Sequence, residues 1–216
     1  MRIGQKHVAP LLLTLTLGIA LAQPAQAPDL KFSPLGGAAV SEQLWKAGFE
    51  YAQTPTKDAF EFHDSALRNQ GWERSSVRRN VGDDQEYDAT YRRNGMRAKL
   101  NVESDDGTAE IELELTGQLG QEVSLRSPPN LKLDYLGGQS VRDQAWKLET
   151  RYGSTNTVAV YQHYDASLTR QGGVRVRFNK DDGEYEVDYR LGGQMVTLEV
   201  ERSGGGVKAK LEYDPS

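Results

Sequence analysis

The chain has 216 residues, no cysteine, and 26 Lys and Arg residues against 31 Asp and Glu residues, so its formal net charge is −5 at pH 7. This acidic balance lacks the basic footprint of a protein that binds nucleic acid, so we expect no nucleic-acid partner. Without cysteine the protein forms no disulfides, and it has no cysteine for lipid attachment.

The N-terminal segment resembles a secretory signal. Arg2 and Lys6 precede the apolar run Val8–Ala22, and small residues follow. The run is shorter than the roughly 20 residues that a membrane-spanning helix needs. We therefore expect a signal peptide over residues 1–22, with 27 as the alternative end, and an exported protein, periplasmic or secreted, without a transmembrane segment in its mature chain.

The rest of the chain contains an internal duplication. Positions 30–71 match positions 131–172 at 16 of 42 residues without a gap, and Tyr87–Glu114 matches Tyr185–Glu212 at 10 of 28. A period near 100 residues is longer than a solenoid unit, so each copy should have its own core. We expect two modules, residues 28–125 and 126–216, the second an internal repeat of the first, separated by a stiff segment at Pro128-Pro129.

Each module begins with a strand and a helix. Trp45–Tyr51 and Trp146–Tyr152 alternate apolar with polar residues, which predicts half-buried strands. Helices are predicted over Thr56–Gln70 and Thr157–Gln171, because apolar side chains recur there at helical spacing. The predicted features of these helices are N-caps at Thr54-Pro55 and Thr155-Asn156, buried stripes of Phe60, His63 and Leu67 and of Tyr161, Tyr164 and Leu168, and C-terminal ends at Gly71 and Gly172.

Hairpins make up the remainder of each module. Alternating strands separated by Asp-Gly, Asn-Gly and Gly-Gly turns predict an antiparallel meander. The strand over 73–79 is weak, whereas Val174, Val176 and Phe178 alternate clearly. The expected fold class is α+β: two tandem duplicated modules, each one helix packed on an antiparallel four- to five-stranded meander, with the early strand at an edge.

The outward positions of the last strand differ between the copies. Glu110, Glu112 and Glu114 in the first correspond to Lys208, Lys210 and Glu212 in the second. One interpretation is a solvated sheet face. The other is a pair of electrostatically complementary surfaces, between the modules or toward a partner.

No residue pattern predicts catalysis, a cofactor or a metal. His63 and His163 fall at different aligned positions, and no Gly-x-Ser-x-Gly elbow is present. The carboxylate pairs at Asp83-Asp84, Asp105-Asp106 and Asp181-Asp182 lie at predicted turns, where Asp is favoured for conformational reasons. Gly204–Gly206 has the context of a hairpin loop and not of a phosphate-binding loop.

One aromatic residue is a candidate for ligand contact. Trp45 and Trp146 alternate in phase with buried positions, but Trp72 follows a helix end and has no tryptophan partner in the second copy. The sequence thus allows an exposed Trp72 that contacts a ligand.

The order of these features resembles tandem modules of uncharacterised exported bacterial proteins. In those modules the helix ends with an aromatic residue, Leu and Gly-Trp before a hairpin meander, as in Phe60, Leu67, Gly71 and Trp72 here. The helix-on-sheet outline is also similar to the domains of the outer-membrane assembly lipoprotein BamC. The resemblance implies a fold and no reaction.

The functional expectation is a non-enzymatic exported binding or scaffolding protein of the bacterial envelope or extracellular space, with an unknown partner. The alternative is a wall- or polymer-directed hydrolase that uses Asp/Glu pairs. Carboxylates converging in a cleft would favour the enzyme, and carboxylates dispersed on hairpin tips would favour the binding protein.

Overall fold

A computed structural model describes residues 30–81, 85–119, 122–125, 131, 136, 141–153 and 156–213. The candidate export signal, Asp83-Asp84 and Pro128-Pro129 lie outside these residues. In chain order the elements are β1 (Lys31–Phe32), β2 (Val40–Tyr51), α1 (Thr56–Asn69), β3 (Glu73–Val81), β4 (Gln85–Arg93), β5 (Met96–Asp105), β6 (Thr108–Gly117), β7 (Val123–Ser124), β8 (Val141–Tyr152), α2 (Thr157–Arg170), β9 (Val174–Asp181), β10 (Glu184–Leu191), β11 (Gln194–Ser203) and β12 (Gly206–Tyr213).

Ten of these strands form one continuous antiparallel sheet, in the order β3-β4-β5-β6-β2-β8-β12-β11-β10-β9, while β1 pairs with β7 separately. The part of the chain that the structure describes is mostly β, with 59% strand and 18% helix. The prediction of an α+β fold of two duplicated helix-on-sheet modules is therefore wrong. Strands from both halves of the chain share a single sheet.

The pairing of β2 with β8 joins the two halves. It sets Trp45 opposite Leu148 and Ala47 opposite Trp146. The buried Trp45 and Trp146 rings meet edge to face with centroids 5.3 Å apart. The early strand of each half was expected at an edge, but both lie in the middle of the sheet, because alternation reports which face of a strand is buried and says nothing about its neighbours.

The segments before β2 and β8 are exchanged between the halves. The Leu35 N–H donates to the Tyr152 hydroxyl at 3.2 Å, and the Leu136 N–H donates to the Tyr51 hydroxyl at 3.0 Å. Phe32 stacks on a ring of α2, that of Tyr164, at 5.7 Å. Each half therefore completes the core of the other.

Both helices cover the same face of the sheet. Helix α1 contacts β4, β5 and β6, and α2 contacts β10, β11 and β12. The predicted stripes are buried in both helices. The helices end as expected, because Gly71 and Gly172 follow the C-caps with positive φ.

The predicted N-caps are displaced by one residue. Pro55 is the N-cap of α1 and supplies no side-chain hydrogen bond, because its ring has no polar atom. The hydroxyl of Thr54, the predicted cap, donates to the Ala52 carbonyl. In α2 the cap is the Asn156 side chain, which accepts from the Ala159 N–H at 2.8 Å. Neither helix is long and apolar enough to span a membrane, within the residues described.

Leu168→Ala should lower the free energy of unfolding by about 2–5 kcal/mol, because Leu168 is fully buried between α2 and the sheet. Glu112→Ala, on the helix-free face, should change it by less than about 1 kcal/mol. Urea unfolding followed by fluorescence and by circular dichroism measures both. Equal losses would contradict the assignment of faces, and two separate transitions would contradict a shared sheet.

Candidate functional site at the sheet edges

The face of the sheet opposite the helices carries a lattice of charged side chains. Lys46 pairs with Glu112, Lys208 pairs with Glu201 at 2.6 Å, and Lys210 pairs with Glu212 at 2.7 Å. These ion pairs stay within one half of the chain. Across the junction of β2 with β8, the Arg151 guanidinium lies 3.8 Å from the Glu42 carboxylate. This long and exposed ion pair contributes little, so main-chain pairing of β2 with β8 is what chiefly joins the halves.

One row of this face concentrates carboxylates. Glu50, Glu110 and Glu103 lie directly opposite one another on β2, β6 and β5. Burial and the neighbouring carboxylates of Glu50, Asp105 and Glu103 raise the pKa of Glu110. The row lies on the open sheet face, and no group of three or more potential ligands able to hold a metal ion occurs among the described residues.

A polar network fastens α1 to the edge of the sheet. The buried Asp64 carboxylate accepts from the Tyr91 hydroxyl at 2.8 Å and from the Arg74 guanidinium at 3.0 Å. Burial and the Asp64 carboxylate raise the pKa of Tyr91, so its phenol stays protonated as a donor. The network links a helix, an inner strand and edge strand β3.

An equivalent network lies in the second half. Tyr189 and Arg175 each donate to the Asp165 carboxylate at 2.6 Å. Burial opposes ionisation of Asp165, but these hydrogen bonds and the Arg175 charge outweigh it and lower its pKa. The sequence contains a common feature of both networks, an arginine ten residues after the aspartate. This spacing does not by itself predict that the two side chains meet.

Aromatic stacks fasten the other end of each helix. Phe60 stacks on Tyr87 at 4.8 Å with the Arg79 guanidinium 5.2 Å from the Tyr87 ring. In the second half Tyr161 stacks on Tyr185 at 4.3 Å, and the Lys180 ammonium lies 5.5 Å from the Tyr185 ring. A cation on an edge strand thus caps each stack.

The edge strands β3 and β9 differ in their exposed side chains. On β9, Val174, Val176 and Phe178 are 65%, 44% and 48% exposed. Over Glu73–Asn80 of β3, where the side chains are described, Val77 is the one exposed large apolar residue, at 51%. We call the three β9 residues the β9 patch. Native proteins commonly use charged side chains and bulges to prevent unwanted pairing at the edge strand of a sheet. An exposed apolar edge strand is a site where another strand can pair.

Among the strands that the structure describes, the main chain of β9 pairs on one side only, with β10. Its hairpin turn has positive φ at both Asp182 and Gly183, as in a two-residue type I′ turn. The residues flanking such a turn form a hydrogen-bonded pair, and hydrogen-bonded pairs alternate along an antiparallel ladder. The amides of Phe178 and Lys180 are therefore expected to point away from β10 and to be open to a further strand.

The residues singled out in the sequence do not converge on a site. Trp72 is 2% exposed, and its indole N–H has no hydrogen-bond partner among the described residues. The exposure expected for a ligand contact is thus not observed, and that role stays a prediction. His63 is buried with its Nε2 3.0 Å from the Tyr51 hydroxyl, and His163 Nε2 lies 2.6 Å from the Ser33 carbonyl.

The described carboxylate pairs occupy hairpin tips. Asp106 and Asp182 each have positive φ at the first position of a turn, in the β5–β6 and β9–β10 hairpins. These hairpins belong to opposite halves of the sheet.

Sequence reasoning missed the β9 patch, because the alternation of Val174, Val176 and Phe178 indicated inward positions.

Neither a scan against protein-family models nor a comparison with curated proteins finds a match for this chain.

Asp165→Asn should lower the free energy of unfolding by about 1–3 kcal/mol at pH 7, because it weakens charge-assisted hydrogen bonds from Tyr189 and Arg175. The pKa of Asp165 is lowered in the folded protein, so its contribution is present above the carboxyl's unfolded pKa of about 4 and is lost as the pH falls further. Urea midpoints between about pH 7 and pH 3 measure this. A difference between parent and variant that does not shrink on acidification would contradict the assignment.

Proposed function

We propose that this chain is a non-enzymatic exported binding or scaffolding protein of the bacterial envelope or extracellular space, which contacts its partner through edge strand β9. The observation that carries the proposal is the β9 patch of Val174, Val176 and Phe178, on a strand whose outer side no described strand pairs with. Strand addition to such an edge derives its affinity from main-chain hydrogen bonds and its specificity from alternate side chains.

The polar networks support a binding role. Asp64 and Asp165 are each held by a tyrosine and an arginine that connect a helix with the sheet. These hydrogen-bonded side chains stabilise the packing of the helices on the sheet, and so they hold edge strand β9 in place. A rigid edge loses little conformational entropy when a partner binds.

The dispersed carboxylates also favour binding over hydrolysis. A glycosidase needs two carboxyl groups that flank one bond across a cleft. Asp106 and Asp182 lie on hairpins of opposite halves, and the Glu50–Glu110–Glu103 row lies on an open sheet face. Carboxylates also line two depressions of the sheet, with Glu103 and Glu112 in one and Glu186 and Glu199 in the other. Lysines pair with Glu112 and Glu199 there, which makes these carboxylates part of the ion-pair lattice of the sheet face.

A neutral strand provides the test. An eight-residue peptide of alternating valine and serine, blocked at both ends, should slow amide hydrogen exchange at Phe178 and Lys180 of the full mature chain, because it hydrogen-bonds to the outer side of β9. Exchange is read residue by residue by NMR. Unchanged exchange along β9 at saturating peptide would refute strand addition at this edge.

Two substitutions at Phe178 distinguish a main-chain contact with the peptide from a side-chain contact. Phe178→Pro removes an outward N–H and should abolish peptide binding, while Phe178→Ala keeps that N–H and should only weaken binding. Val77→Ala on the opposite edge is the matched control and should leave binding unchanged. Circular dichroism establishes that each variant is folded, and equal binding by the proline and alanine variants would contradict a main-chain contact.

A further inference from the structure

Edge strand β9 has a charge opposite to that of the chain as a whole. It carries Arg175, Arg177 and Lys180 against Asp181, whereas the chain has a net charge of −5. Arg175 and Lys180 lie on the same face of the sheet as Phe178, and the Arg175 guanidinium is 5.5 Å from the Phe178 ring. Arg177 lies on the other face, opposite Asp188. A strand added beside β9 would meet both kinds of side chain.

The two arginines are held in place and remain accessible. Arg175 donates to Asp165 on α2, and Arg177 donates through Nε and Nη2 to Asp188 and Glu186 on β10. Their side chains are nevertheless 44% and 56% exposed. A guanidinium has five N–H donors in a fixed fork, so a positioned arginine retains donors for a second carboxylate.

Lys180 forms no ion pair with any residue that the structure describes. Its ammonium lies 5.5 Å from the Tyr185 ring, which rests on Tyr161. The ring orients the cation without neutralising it. The amide of the same residue is expected to face outward, so a partner strand would find a main-chain donor and an unneutralised charge at one position.

We propose that the strand accepted by β9 is acidic: an extended peptide segment with carboxylates beside Arg175, Arg177 and Lys180 and an apolar residue beside Phe178. This inference rests on the proposed function and names the partner's chemistry. Opposite charges directly across a strand pair are favourable and like charges unfavourable. A second copy of this chain fits less well. Asp165, Asp188 and Glu186 already pair with the two arginines of each copy, and the only carboxylate that a second β9 strand carries to meet Lys180 is Asp181.

The opposite edge has similar charge and, among its described side chains, a single exposed large apolar residue, Val77. Strand β3 carries Arg74, Arg78 and Arg79 against Glu73, and Arg79 rests on Tyr87 as Lys180 rests on Tyr185. The acidic strand should therefore choose β9 through its apolar contact with Phe178. This makes Arg79 a matched control for Lys180.

The test compares three blocked eight-residue peptides, titrated against the full mature chain by NMR. The three positions that would lie beside Arg175, Arg177 and Lys180 are glutamate, serine or lysine, and the other five positions are valine. At low salt the glutamate peptide should bind β9 about tenfold more tightly than the lysine peptide. This preference should shrink toward unity near about 1 M salt because the charges are then screened. Lys180→Gln should reduce the preference about two- to fivefold, and Arg79→Gln should leave it unchanged.

Each contrary outcome has a distinct meaning. Equal binding of all three peptides at β9 would overturn the acidic preference and leave strand addition standing. No binding of any peptide at β9 would overturn both proposals. Concentration-dependent dimers that sediment without peptide and are lost in Phe178→Pro would overturn the acidic peptide in favour of a second copy.

Discussion

The hydrogen-bonded pairing of β2 with β8 is the constraint on which the rest of the molecule depends. It places Trp45 and Trp146 in contact at the centre of the buried face. It also turns β2 and β8 into interior strands, each paired on both sides. Without this pairing each half would expose a twelve-residue edge whose inward side chains include a tryptophan, a hazard for aggregation.

The exchanged segments reinforce that junction. Leu35 donates to Tyr152 and Leu136 donates to Tyr51, so each buried tyrosine hydroxyl binds the backbone of the other half. The Trp45 indole N–H donates to the Leu125 carbonyl at 3.0 Å, which ties the segment after β6 to the same core. Because a buried donor without a partner is costly, these bonds select one arrangement of the halves.

Fusion of the halves leaves the sheet with two edges, β3 and β9. Both carry a bulge near the end that follows the helix, and both use arginines to reach an aspartate on that helix. These devices limit nonspecific pairing at an edge. The β9 patch departs from this pattern, because Val176 and Phe178 stand where β3 has Ser75 and Val77 at an offset of 101 residues. The departure is what suggests a partner there.

The sequence by itself determined the local structure. The periodicity around Phe60 and Tyr161 located both helices, Gly71 and Gly172 marked their ends, and alternation identified Trp45 and Trp146 as buried. These features follow from local spacing, because a strand buries alternate residues and a helix one stripe whatever lies beside them. Only the tertiary structure decided that the halves share one sheet and that Val174, Val176 and Phe178 lie at its edge. Strand neighbours and edge exposure depend on contacts between residues distant in sequence, which alternation does not encode.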